Sequence, residues 1–458
     1  MSELKIIARH AGSVWAGQLA VMAFGVTDTL VAGRHSDAAL AALSIGYAIY
    51  ISVYVALVTV VQALLPVWAE LQGAKQFLAL GRSVRQALYL CAIIAAVGLW
   101  LLLYPAPLLQ WTQVPTRVQT DVERYLAVLA LSFIPALLFR MYSTLNQSLG
   151  RPLLVTWLQL GALVVKVPLS FAFGLGISVG GVTLPAMGAE GCAWATVIVN
   201  GVMLALAVVM LRTQPLYQPY QLWRPLEAPD RQALAKFARL GVPTGLAVMV
   251  EITSFTLMAL FIARMGTVAS AAHQIASNTV AVLYMLPLAI GIATSARVSF
   301  WLGAGKPQQA KQVIFQGFML TAVAACGFSA LIFTTKDALA MAYTSNPQVA
   351  QVTVGLLSWI ALFHLADALQ AVSGFVLRSY RVALAPLVIY ATLLWALGLG
   401  GAYLWAYVGW NGVSARPEPS TFWIASTGAL ALAAIALMSL LAWTVKHASA
   451  APGSALAK

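Results

Sequence analysis

Stretches of about 20 apolar residues recur roughly twelve times along this chain, and no soluble fold accommodates such a density of them. Each reads as a membrane-spanning helix, at roughly 12–32, 38–66, 86–104, 122–146, 153–176, 188–211, 240–264, 270–302, 313–333, 349–378, 383–408 and 421–445. Composition agrees: 61% of the residues are hydrophobic and only 9% charged, against about 25% charged in soluble domains. The expected fold class is an all-α, multi-pass integral membrane protein.

The formal charge of +13 would suit a nucleic-acid binder, but its distribution points elsewhere. Of the 26 Lys and Arg residues, 19 fall on the side of the membrane that holds Lys5 and Arg9, six fall on the other side, and Lys166 lies within a span. Loops rich in Lys and Arg stay in the cytoplasm. Both termini are therefore expected to be cytoplasmic, with the lipid bilayer and not nucleic acid as partner. Cys91, Cys192 and Cys326 lie singly in apolar helices, without the spacing of a disulfide framework or a metal site.

Self-comparison reveals a repeat offset by 230 residues. Ala41, Ala42, Ile45, Tyr54, Ala63, Gly73, Ala74, Gln86 and Arg151 recur as Ala271, Ala272, Ile275, Tyr284, Ala293, Gly303, Ala304, Gln316 and Arg381. The basic loops after Gly73 and Gly303 coincide as well. Six spans per half place both halves in the membrane with the same orientation, as parallel repeats. The expected organisation is two pseudo-symmetric six-helix bundles, 1–212 and 240–458. They are joined by a cytoplasmic linker, 213–239, whose Pro, Gln and charged residues suit a hinge. Two such lobes in one chain make a monomer sufficient.

Three carboxylates stand away from the ends of these apolar helices: Asp28, Glu251 and Asp367. A charge at bilayer depth costs about 2.5–3.5 kcal/mol on insertion scales, so such residues face protein or an aqueous cavity and serve transport. They break the repeat, since their counterparts are Met258, Val21 and Leu137. The scaffold is symmetric but its charges are not. Ion or proton coupling and cation binding are assigned to these three acids, with Na⁺ at Glu251 and Asp367 as one option. Phe255, Met258, Tyr284, Met285 and Phe363 are candidates for an adaptable apolar wall around flat cations. His273, Gln274 and Asn278, with Asn200, are auxiliary polar candidates, suited to hydrogen bonds between helices.

Four stretches together resemble the multidrug and toxic compound extrusion (MATE) transporters, in their NorM-like branch: VTDTLVAGRHSDAALAALSIGYAIY (26–50), GAEGCAWATVIVNGVM (188–203), VEITSFTLMALFIARMGTVASAAHQIASNTV (250–280) and DALQAVSGFVLRSYR (367–381). The resemblance spans nearly the whole chain. It implies twelve helices in two lobes, and export of amphipathic organic cations from the bacterial cytoplasm across the inner membrane, driven by H⁺ or Na⁺ and without a cofactor. It also places the functional acids of helices one, seven and ten at Asp28, Glu251 and Asp367. Helix five departs from the family pattern: where relatives tend to carry two asparagines around a proline, this chain has Lys166 and Ser170 around Pro168. An ammonium there makes a Na⁺ site in the first lobe doubtful and tilts the coupling ion towards H⁺. Lys166 is expected to pair with Asp28 in one conformation, with protonation of Asp28 releasing the pair, the alternative being a Lys166 that snorkels to an interface or makes a permanent structural ion pair.

A lipid-linked oligosaccharide flippase of the same superfamily is the alternative transporter, but its cavity should be cationic, and three acids against one intramembrane Lys argue against it. No GxxxxGK[ST] motif for a nucleotide-driven pump occurs, and no enzyme-like metal or nucleophile pattern is present. The exported compounds leave no motif.

Overall fold

The computed structural model describes residues 2–106, 116–179, 182–409 and 414–450. Twelve helices among them are long and apolar enough to cross a membrane. In order they are α1 (Glu3–His35), α2 (Asp37–Gln62) continued by the short α3 (Leu65–Gly73), α4 (Phe77–Leu103), α5 (Thr116–Ser148), α6 (Pro152–Leu175), α7 (Gly188–Thr213), α8 (Arg231–Ala263), α9 (Thr267–Gly303), α10 (Pro307–Tyr343), α11 (Pro347–Ser379), α12 (Leu384–Tyr390) and α13 (Pro419–Ala450). The α12 span runs on to Val408, mostly as wide π-helical turns over Ala391–Gly400 and Leu404–Val408. Several helices outrun the apolar stretches that betray them; α10, for instance, was expected at 313–333. Hydropathy marks the bilayer-embedded part, and a helix needs no apolar residues to continue into water.

The all-α expectation needs one addition. Two short strands, β1 (Ile177–Val179) and β2 (Val182–Leu184), pair antiparallel with Ile177 opposite Leu184. The segment ISVGGVTL alternates apolar and polar residues on either side of two glycines and is rich in β-branched residues, which is a hairpin signal.

The repeat is visible in the backbone. α2 and α9 begin at Asp37 and Thr267, α3 and α9 end at Gly73 and Gly303, and α4 and α10 begin at Phe77 and Pro307, each pair 230 residues apart. Between them Lys75 (φ 57°) and Gly305 (φ 70°) both adopt the left-handed conformation that turns the chain.

The chain divides into two compact units. One comprises Ala16–Gly245; the other comprises Met1–Trp15 with Leu246–Lys458. α1 and α8 thus each contribute to both units, and the division falls inside α8 instead of in the linker. Within the first unit, α5 packs on α2, α4 and α7. Within the second, α11 packs on α9, α10 and α13, which is why its polar side chains are buried. Outward faces carry bare apolar side chains such as Trp157, Val164 and Phe315, the surface expected of helices solvated by lipid.

The linker is not a loose hinge. Residues Pro215–Tyr220 form a 3₁₀ turn, and the chain from there to Asp230 is strapped onto α4. Arg85 donates to the Glu227 carboxylate through Nε (2.9 Å) and Nη2, and through Nη1 to the Gln221 carbonyl at 2.7 Å. Gln86 grips the backbone from both sides, donating to Ala228 O at 3.0 Å and accepting from Asp230 N at 2.9 Å. Tyr89 donates to Glu227 O, Tyr217 to Asn146 Oδ1 and Tyr220 to Gln72 Oε1. Gly81 permits this approach, since a Cβ there would sit 1.7 Å from Tyr220 O. The Arg85 guanidinium, by hydrogen bonding, holds the Glu227 carboxyl down at about 2.

Candidate functional site

In the Ala16–Gly245 unit, α1 brings Asp28 against α6, whose Lys166 and Ser170 lie one turn apart on a single face, on either side of Pro168. Lys166 Nζ donates to Asp28 Oδ1 at 2.8 Å, to the Cys192 carbonyl at 2.9 Å and to Thr196 Oγ1 at 2.7 Å. An ammonium has three N–H donors, so this one is saturated. Ser170 Oγ donates to the same Asp28 oxygen at 2.9 Å. Lys166 and Ser170 are 0% exposed and Asp28 is 6% exposed. The reach to α7 depends on a backbone-to-backbone approach of α6 and α7: a Cβ on Gly191 would fall 2.4 Å from Phe173 O. Removing two ions from water costs several kcal/mol each, and such a pair is tolerable only when every donor is filled, as here.

Asp28 also lines a cavity of about 100 Å³, whose aromatic wall includes Tyr47, Tyr50, Tyr54, Tyr125 and Phe139. Tyr50 and Tyr54 stack with centroids 5.5 Å apart and planes 11° from parallel. Thr196 and Asn200 reach the same space, as do Arg140 and Ser143. Arg140 reads from sequence as a basic residue that merely sets topology. Here it borders the cavity, and its guanidinium has no ion pair or hydrogen bond among the described residues.

In the other unit the two remaining acids meet through one amide. Gln370, one turn beyond Asp367 on α11, donates from Nε2 to Asp367 Oδ1 at 3.0 Å and to Glu251 Oε1 at 3.5 Å. Tyr390 OH donates to Gln370 Oε1. With the acids ionised, the amide turns its NH₂ to them and its oxygen accepts from Tyr390. Asp367 and Gln370 are buried. Among the described residues no group of three or more His, Cys, Asp and Glu assembles. The Glu251–Asp367 pair thus presents two carboxylates that share one amide.

Glu251 lines a second cavity, of about 20 Å³, with Ser254, Phe255, Met258 and Phe363 from the expected wall and its surroundings, and with Ser426 and Leu430 of α13. The two cavities are copies of one socket. Val21, Phe24, Gly25, Asp28, Thr196 and Asn200 line the first; the residues 230 positions later, Glu251, Ser254, Phe255, Met258, Ser426 and Leu430, line the second. The second is smaller because Phe255 stands where the first has Gly25. It also has buried Trp423 where the first unit has Ala193. Phe255, Phe363 and Trp423 pack edge to face with centroids 5.7–6.2 Å apart.

Other expected residues do not gather here. Tyr284 lies within electrostatic reach of Glu251 and Asp367, but neither it nor Met285 lines the cavity. His273, Gln274 and Asn278 do not share a buried face. His273 is buried, 3.2 Å from Ser277 Oγ and packed on Trp423, whereas Gln274 is exposed and bonds Asn278 within the same helix. Sequence reasoning missed Thr196, Gln370, Tyr390, Trp423 and the placement of Arg140. Gln370 and Arg140 carried a signal, as polar groups on the same helices as Asp367 and the tyrosine-lined wall; Trp423 carried none.

The family model described as MatE matches residues 14–172 and 243–404, one segment per repeat. A protein of Aromatoleum aromaticum named "Probable multidrug resistance protein NorM" is 33% identical over 95% of this chain and 92% of its own length. A protein of the same name from Chromobacterium violaceum is 32% identical over 96% of this chain and 94% of its own. Among solved structures, the eukaryotic MATE transporter AtDTX14 superposes with a TM-score of 0.86 at 18% identity, covering 97% of this chain and 98% of that one.

Proposed function

This chain belongs to the MATE family of multidrug efflux transporters, and on that premise we propose that it exports amphipathic organic cations in exchange for H⁺, by alternating access. It does so in the inner membrane of a bacterium, and one chain suffices. Glu251 and Asp367 are the acids that alternate between substrate cation and protons. Two carboxylates on one amide, withdrawn from water, require a positive charge from one source or the other. Competition for that position couples export to proton entry.

The observation that carries H⁺ over Na⁺ is the seat of Lys166. A carboxylate, a carbonyl and a hydroxyl oxygen surround its Nζ at 2.7–2.9 Å, the donor set a hard monovalent cation would seek. A tethered ammonium already fills it. The Gln370 amide, presenting its NH₂ to the other two acids, supports the same reading. The flippase alternative is not favoured, since the relatives carry multidrug-resistance names.

The test is efflux of ethidium from proteoliposomes of the purified protein. An inward pH gradient in Na⁺-free buffer should drive uphill export, and a Na⁺ gradient at constant pH should not. Export that appears only with Na⁺ would overturn the assignment of the coupling ion.

A further inference from the structure

We infer that the tyrosine-walled cavity of the Ala16–Gly245 unit is a binding site for the carboxylate of an aromatic molecule, with Arg140 as its anion-recognising group. This goes beyond the cation export assigned above and does not depend on it. Among the described residues, two charged side chains line this cavity, Asp28 and Arg140. Asp28 is already neutralised by the buried ammonium of Lys166 at 2.8 Å, and Lys166 has no N–H to spare. Arg140 is therefore the uncompensated charge, and the cavity is net positive.

The neighbouring donor fits the same ligand. Ser143 lies one turn from Arg140 on α5 and lines the same space. Its oxygen accepts from Gln147 Nε2 at 3.1 Å, and its own O–H has no acceptor among the described residues. A carboxylate has two oxygens, each able to accept from a guanidinium fork and a hydroxyl. The volume and the wall specify the rest of the molecule. About 100 Å³ is of the order of a cavity that takes one benzene ring, and the stacked Tyr50 and Tyr54 faces offer it an aromatic surface. The repeat shows this to be particular to one unit, because the position equivalent to Arg140 is Gln370, which serves the Glu251–Asp367 pair.

The test compares salicylate with its neutral isostere salicylamide, both fluorescent, titrated against the full chain in detergent without any gradient. Salicylate should bind about 10- to 100-fold more tightly, the worth of one hydrogen bond to a charged group. Arg140→Gln should remove the preference and Arg140→Lys should restore part of it, with thermal unfolding confirming that each variant is folded. Equal affinity of the two probes for the unaltered protein overturns the inference even if no variant folds, and so does a preference that survives Arg140→Gln. Failure of proton-driven ethidium efflux would instead count against the export mechanism and leave these affinities as they are.

Discussion

Replacing Lys166 by Met removes the ammonium from a site that excludes water, and the structure fixes what must follow. Asp28 is then a carboxylate at 6% exposure with Ser170 as its remaining side-chain oxygen donor. Breaking a buried pair by deleting one partner costs about 3–5 kcal/mol. Asp28 can limit that loss by taking up a proton. At pH 7, about three units above the ordinary Asp value near 3.9, holding that proton costs about 4 kcal/mol, at 1.36 kcal/mol per unit. The native state of the variant then binds a proton that the unfolded chain does not, so stability falls as pH rises above about 4. The destabilisation relative to the unaltered protein should shrink from about 4 kcal/mol at pH 7 to roughly 1.5 kcal/mol at pH 5. Chemical unfolding of the detergent-solubilised protein across pH 5–8 reads this directly. Lys166→Met with Asp28→Asn should recover most of the loss, because an uncharged pair of similar shape needs no counter-charge. A penalty that does not change with pH, or a double variant no more stable than the single one, would refute a charge-pairing role for Lys166.

Tyr390→Phe frees the Gln370 amide to turn; losing this neutral hydrogen bond, worth about 0.5–1.5 kcal/mol, should displace the pH profile of ethidium efflux by up to about one unit while leaving the protein folded. Trp423→Ala should cost about 3–5 kcal/mol of stability and enlarge the second cavity towards the size of the first, read by the unfolding midpoint and by acceptance of bulkier cations in the efflux assay. Glu227→Gln should loosen the linker strap, measured as faster tryptic cleavage after Arg231. Because Arg85 holds Glu227 down at about 2, its contribution is intact above the ordinary Glu range near 4.5 and is lost as pH falls towards 2. A protease stable in acid should accordingly find the linker of the unaltered protein more exposed at pH 2 than at pH 5.

The spans, the repeat and the three acids were legible in sequence because each rests on one-dimensional physics. Hydropathy reports what a bilayer solvates, and a lone carboxylate in such a run is costly wherever it points. Lys166 was legible by the same rule, but its pairing with Asp28 was expected from the resemblance to the MATE family and not from the residues alone. What the rule cannot supply is direction around a helix and distance between helices. Gln370 and Tyr390 are 20 residues apart and meet only because α12 packs beside α11's acids. His273 and Gln274 are adjacent in sequence, and one is buried while the other is exposed. The linker misled because Pro, Gln and charge describe a solvated segment equally well whether it hangs free or is clamped, and the clamp is made by Arg85 and Gln86, more than 130 residues upstream.

The duplicated socket explains how a symmetric scaffold comes to hold asymmetric chemistry. A helix position that faces a cavity in one repeat faces the equivalent cavity in the other, whatever residue it carries. Changes there alter function without disturbing the packing that both repeats need. Six lining positions coincide across the 230-residue offset, and all six differ in identity: Val21 and Glu251, Phe24 and Ser254, Gly25 and Phe255, Asp28 and Met258, Thr196 and Ser426, Asn200 and Leu430. Positions that turn the backbone behave in the opposite way, since Gly73 and Ala74 recur as Gly303 and Ala304. An acid therefore costs least at a socket position whose counterpart can remain apolar, because each unit then solves its own desolvation problem. Asp28 has Lys166 for that purpose, and Glu251 has Gln370. The counterpart of Lys166 is Ala396 and that of Gln370 is Arg140, so neither solution could be transplanted to the other unit without moving its acid as well.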